Sequence, residues 1–395
     1  MIGISRRTAQ GRFPDAVARP AREIRNGFSR RPITETTLKN TAALILALGG
    51  ATIANAQSTV SIYGIVDAAI VGERGGSAGN VAKVTSGAAS ASRIGFRGTE
   101  DLGNGLSAYF ILEAGSKIDT GEIDAAGTIF NRQALVGLKG KLGAVALGRQ
   151  YTPYHTTLVQ VVDPFGTGYA GTAKNLFPDF GTNIRTSNTI TYAAPRTHGF
   201  DVELAYGMGE QSDASAGRQF GGAVGYAKGP LTVRLAYNSK NTDVPAAGAT
   251  AAVNRSPGRN TLLGANYDFG RIKLHAGYGV DKGDNSAPLG NANNPYGGVR
   301  PTASTDGRSA LLGLTAPVRG GTLMFSAMHK DDRTGLNQDA ASWGVGYLHA
   351  LSKRTGLYRA YAHIRNRNGA GYTVANNTEA GTGSTGWNLG IRHTF

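Results

Sequence analysis

Residues 387–395, Trp-Asn-Leu-Gly-Ile-Arg-His-Thr-Phe, close the chain with one face apolar and one polar. Drawn out as a strand, Trp387, Leu389, Ile391 and Phe395 share one side, while Asn388, Gly390, Arg392 and Thr394 share the other. Side chains alternate across a strand, so a period of two describes a sheet with one greasy and one wet face. The same alternation recurs upstream in Val60/Ile62/Val66, Ala108/Phe110/Leu112, Val202/Leu204/Tyr206, Leu231/Val233/Leu235/Tyr237 and Ile272/Leu274/Ala276/Tyr278. Tyr and Phe gather near the strand ends, where the girdles of a membrane barrel lie.

The connections alternate in length. Short ones at 100–105, 139–143, 195–199, 228–230, 268–271, 317–321 and 352–356 are rich in Gly, Pro and Asp and read as tight turns. Long polar ones lie at about 72–91, 115–128, 151–183, 209–217, 240–258, 281–306, 331–340 and 367–384. These fifteen connections predict an all-β fold, a sixteen-stranded antiparallel transmembrane barrel with turns on one rim and long loops on the other. A soluble barrel of that width would enclose a greasy lumen too wide for side chains to fill.

Composition supports an exported chain. Of 395 residues 58 are Gly and none is Cys, and the net charge is +15. The apolar run at 41–54 is shorter than the ~20 residues a membrane helix needs. It follows basic residues and ends in Ala54-Asn55-Ala56, so 38–56 reads as a secretory signal cleaved after Ala56. Residues 1–37 form a basic, aperiodic extension that fits a start codon placed too far upstream, which leaves 57–395 as the barrel. The nine basic and three acidic residues of 1–56 leave the remainder positive. A nucleic-acid partner is not expected, because the cations follow the strand alternation instead of forming an outer patch.

That parity directs Arg93, Arg97, Arg132, Arg185, Arg234, Lys273, Arg359, Arg365 and Arg392 into the lumen, against fewer acids, Asp67, Glu113, Asp201 and Glu203. Fixed positive charge inside a pore enriches anions. His275 and His363 share the lumen parity. Enzyme signatures are weak. Gly75-Gly76-Ser77-Ala78-Gly79 has the spacing of a nucleophile elbow, but no helix follows it. The seven His show no ligand spacing, so neither a metal nor a cofactor is expected. Long loops also suit an adhesin or receptor, and a barrel hydrolase is a further alternative.

Taken as a set, residues 58–67 (STVSIYGIVD), 92–103 (SRIGFRGTEDLG), 131–138 (NRQALVGL), 147–153 (LGRQYTP), 186–194 (TSNTITYAA) and the final Phe395 resemble the general porins of Gram-negative bacteria, the β-proteobacterial type above all. The resemblance implies a homotrimer in the outer membrane that passes ions and small hydrophilic solutes, in contact with lipid and lipopolysaccharide. It also implies a third extracellular loop, about 151–183, folded into the lumen, and short turns on the periplasmic side. The basic wall of the constriction carries over to Arg93, Arg132 and Arg185, with Arg149 as a fourth candidate. The loop contributes Asp163-Pro164-Phe165-Gly166 and Asp179, whose carboxylates are expected opposite those arginines. Phe395 is implied to be part of the signal read by the outer-membrane assembly machinery, besides serving as a girdle aromatic.

Overall fold

A computed structural model describes residues 59–211, 215–248, 250–284, 286–287 and 303–395; the expected signal segment, 38–56, and the basic residues 1–37 lie outside the described residues. In chain order the strands are β1 (Thr59–Gly76), β2 (Gly79–Ser86), β3 (Arg93–Gly103), β4 (Leu106–Gly115), β5 (Gln133–Gly140) and β6 (Gly143–Tyr151). Then come β7 (Arg185–Ala193), β8 (Phe200–Gly207), β9 (Gln219–Lys228), β10 (Leu231–Lys240), β11 (Gly258–Asp268) and β12 (Lys273–Lys282). The last five are β13 (Asp306–Val318), β14 (Gly321–Asp332), β15 (Ala340–Ala350), β16 (Thr355–Asn366) and β17 (Thr385–Thr394). They form one sheet of antiparallel neighbours that closes where β1 meets β17.

Seventeen segments make sixteen staves. β3 pairs with Thr59 to Ile65 and β2 with Ala68 to Gly76, so both occupy the same edge of β1. The expected loop at 72–91 is therefore corrected: most of it is the hairpin of β1 and β2, turned at Gly75 and Gly79 with φ of 76° and 73°. Glycine takes that left-handed conformation without steric cost, so a Gly-rich stretch reads as loop while forming a tight turn. The break between β2 and β3 is held by Asp67, which accepts bonds from the Ala89 and Ser90 amides and from the Tyr358 hydroxyl at 2.6 Å.

The apolar faces point outward. Leu389 is 52% exposed and Phe395 44%, a surface that only lipid or a partner chain can cover. At the seam, Gly64 and Phe395 exchange backbone bonds of 3.2 and 3.1 Å. A side chain at Gly64 would strike the Phe395 ring, so this pairing needs a glycine opposite the terminal aromatic.

The third long connection does enter the barrel. Thr152 caps its helix, Pro153–Thr157, by accepting the His155 amide at 3.1 Å, with Pro153 in the first turn where it suits a helix start. Leu158, Val162, Phe165, Phe177 and their neighbours are then buried against inward glycines of the wall. A Cβ at Gly264 would meet Val162, one at Gly313 would meet Pro164, and one at Gly346 would meet Phe165. The last loop also folds inward, burying Tyr372, Val374 and Ala375.

One strand reverses its expected parity. In β16 the inward side chains are Tyr358, Ala360, Ala362 and Ile364, and Arg359, Tyr361, His363 and Arg365 face outward. Arg359 lies 6.0 Å from the Tyr347 ring on the outer surface, and His363 bonds Thr385 at 3.0 Å. The reason is the loop: Tyr169 packs edge-on against Tyr358 at 5.1 Å, so this inner face is covered, and small or apolar residues belong there.

Candidate functional site: a basic throat

Strands β3, β4, β5 and β6 and the start of β7 bring their upper ends together beside the inserted loop. Between them is a cavity of about 650 Å³, lined by Tyr63, Arg93, Glu113, Arg132, Tyr151, Lys174 and Arg185 among others. Arg132 immediately precedes β5 and is almost wholly buried. Its Nε donates to Glu113 at 2.8 Å and an Nη donates to the Tyr151 hydroxyl at 2.8 Å. Arg93 stands 3.8 Å from the other Glu113 oxygen, which also accepts the Tyr63 hydroxyl at 3.0 Å. Arg185 donates to Tyr151 at 3.1 Å with its guanidinium 4.6 Å from the ring centre. Glu113 thus ties two arginines into one cluster without cancelling it: Arg93, Arg132, Arg185 and Lys174 line the cavity against Glu113 and Asp124. Guanidinium stays charged at any relevant pH, so the excess is permanent.

Arg149 is placed differently. It sits opposite Ala134, on the face that carries Val136 and Leu138 outward, and bonds the Asn131 carbonyl at 2.5 Å and Ser187 at 2.9 Å. It is not among the residues lining the throat. An irregularity between Gly148 and Gln150 puts Gln150 and Tyr151 on the inner side and leaves Arg149 out.

The loop carboxylates also depart from the expectation. Asp163 accepts the amides of Phe165, Thr167 and Ala173 at 2.9, 2.8 and 2.8 Å, and so fastens the loop's own turn. An acid placed before Pro164 captures the amides just after it, as Asp does in turns. Pro164 and Phe165 pack onto Gly313 and Gly346, and Gly166 lines the throat with bare backbone. Asp179 is fully buried beneath His155, 2.7 Å from Nδ1. Burial pushes its carboxyl up, but His155, Lys174 and Arg185 outweigh that and hold it below the ordinary range. What the loop offers the arginines is thus a further cation, Lys174. Its Nζ donates to the Asn377 carbonyl at 2.6 Å, and burial lowers its pKa.

Of the other lumen cations, Arg97 lies near the short turns, bonded to Ser61 at 3.2 Å and 5.2 Å from the Tyr63 ring. Arg234 is paired with Asp201 and Glu203, at 2.5 and 2.6 Å, and contributes little free charge. Lys273 stands 3.9 Å from Asp268. Arg392 bonds Ser90 at 3.2 Å. Arg359 and Arg365 are outside the lumen altogether. Among the described residues no group of His, Cys, Asp and Glu could hold a metal.

Comparison with known proteins agrees with this architecture. The family described as Gram-negative porin matches residues 41–369. Outer membrane porin protein 32 of Delftia acidovorans is 34% identical over 373 residues, 90% of this chain and 98% of that one. An outer membrane porin of Bordetella pertussis is 31% identical with the same coverage. Among solved structures, an anion-selective porin from Comamonas acidovorans superposes with a TM-score of 0.69 at 30% identity, over 86% of this chain and all of that one.

Proposed function

The chain belongs to the Gram-negative porin family, and from that premise we propose that its throat gives small anions precedence over cations. The protein is an outer-membrane channel for passive diffusion of ions and small hydrophilic solutes, not an enzyme. The observation that carries the anion preference is the cavity edged by Arg93, Arg132, Arg185 and Lys174 against two carboxylates. A positive constriction raises the local anion concentration, while rapid passage requires that no solute be held tightly. A relative described as anion-selective supports the same reading. Proteoliposomes test it: gluconate is expected to be taken up faster than a cationic sugar of equal size. Equal rates would remove the preference and leave a plain diffusion pore.

The functional unit in this reading is a homotrimer, which covers part of the apolar outer face; the mass of the detergent-solubilised protein tests it. Lipopolysaccharide is a fitting neighbour for the outer face at the long-loop rim. There Arg259 lies directly opposite Lys282, with Arg308 on the next strand; Asp306 stands 3.5 Å from Lys282, so three cations share one acid and a further anion would offset the excess. The exposed Phe395 ring at the end of β17 suits recognition by the assembly machinery. Removal of Phe395 is expected to lower the amount of folded protein in the outer membrane and leave the conductance of assembled channels unchanged.

A further inference from the structure

Tyr151 holds an unusual position in the throat. A phenol oxygen has two lone pairs and one hydrogen. Both bonds to this oxygen come from guanidinium N–H groups, Arg132 at 2.8 Å and Arg185 at 3.1 Å, so in each the phenol accepts. Its own hydrogen remains to be donated, and the residue lines the cavity. The ring cannot easily turn away. The Arg185 guanidinium lies 4.6 Å from its centre, and the His155 imidazole stacks on it at 4.9 Å with 15° between the planes. His155 is in turn fixed by the buried Asp179 at 2.7 Å.

We propose that Tyr151 is a specificity-determining residue: it gathers Arg132 and Arg185 on one oxygen and offers its hydrogen to an oxyanion passing between them. This rests on the anion-preferring reading of the throat and adds the class of anion. Arg132 commits its Nε to Glu113 and turns an Nη toward Tyr151, and Arg185 turns an Nη toward the same oxygen. Each guanidinium has five N–H groups, so others remain beside the phenol hydrogen for a solute once these bonds are made. A halide can meet such a set only as a point, whereas phosphate or a carboxylate presents several oxygens to it, and planar guanidinium edges suit those oxygens. The phenol is also the better donor for accepting from two cations, since successive hydrogen bonds polarise one another.

The purified full-length protein in planar bilayers provides the test. Chloride current is measured in KCl while inorganic phosphate is added, for the wild type and Tyr151→Phe, which keeps the ring and every formal charge. The wild type is expected to be partly blocked by phosphate. In Tyr151→Phe the half-blocking concentration should rise about fivefold or more, as for loss of one hydrogen bond. An unchanged half-blocking concentration would overturn the role of Tyr151 and leave the anion reading intact. A wild type that prefers potassium and ignores phosphate would fail the anion reading itself. Fluorotyrosine placed at position 151 gives a second measurement on the assembled wild-type fold. Its resonance should move with phosphate and stay with equal chloride; movement with both, or with neither, would overturn the proposal.

Discussion

The two halves of the inner wall are put to different use although both are built of alternating strands. From β3 to β7 the wall presents Arg93, Arg132, Arg185, Glu113 and Tyr151 to the solute path. From β11 to β16 it presents Leu262, Gly277, Leu311, Met324, Gly344 and Ala362 beneath the inserted loop, and the polar groups among them are tied up inside the protein, as Lys330 is by Asp281 at 2.5 Å. Water decides the first surface and close packing the second. A strand face that looks into a pore leaves polar groups open to solute only where the pore is open. Where a loop lies on it, it follows the rules of a core, with small residues wherever the loop backbone comes near.

The largest effect is expected where that packing is tightest. A side chain at Gly344 would run into the Gly171 backbone, and Ser326 holds the Gly171 carbonyl at 2.7 Å. Gly344→Val should lift the loop from the wall, at about 1–3 kcal/mol for overpacking, raising single-channel conductance and weakening selectivity. Conductance equal to the wild type would mean that the loop does not narrow the path. Arg132→Glu acts on the other half. It changes the throat by two unit charges, and one unit charge at about 4 Å in water is worth ~1 kcal/mol, or about fivefold. The zero-current potential should move strongly toward potassium while the barrel still assembles; an unmoved potential would place Arg132 off the solute path.

A smaller effect separates the loop's own cation from the wall's. Burial disfavours the charged form of Lys174, so it loses its proton at a lower pH than an ordinary lysine. Chloride preference should therefore fall as pH rises toward the ordinary lysine value of about 10.4, and Lys174→Arg should keep it constant over that range. Matching pH profiles for the two proteins would remove Lys174 from the selectivity. The smallest effect is expected of Arg359→Gln and Arg365→Gln, which lie on the outer face and should leave the zero-current potential where it is. A shift from either would restore the opposite parity for β16.

How much was legible in the sequence follows the same division. The sixteen staves, the alternation of turns and loops, and the closing strand could be read because lipid imposes an apolar residue at every second position. Arg93, Arg132 and Arg185 were legible as inward cations, and Glu113 as an inward acid. Their meeting at Tyr151 was not, because Tyr63, Glu113, Arg132 and Tyr151 come from four separate segments and join only once β1, β3, β4, β5 and β6 pair side by side. The parity of β16 misled because Tyr358-Arg359-Ala360-Tyr361-Ala362 puts one Tyr on each face, and only the loop packed against Tyr358 distinguishes them. The loop acids misled for a local reason: Asp163 serves the amides beside it and Asp179 serves His155. Lys174 carried no periodic signal, since it lies in a short 3-10 turn inside a loop.

The central claim is that fixed positive charge in the throat governs which ions pass. Zero-current potential across a planar bilayer holding the purified protein in a KCl gradient tests it most directly. The account predicts stepwise conductance with a potential of the sign set by chloride. Stepwise conductance with a potassium-favouring potential would contradict it and show that Glu113 and Asp124 outweigh the cations around them.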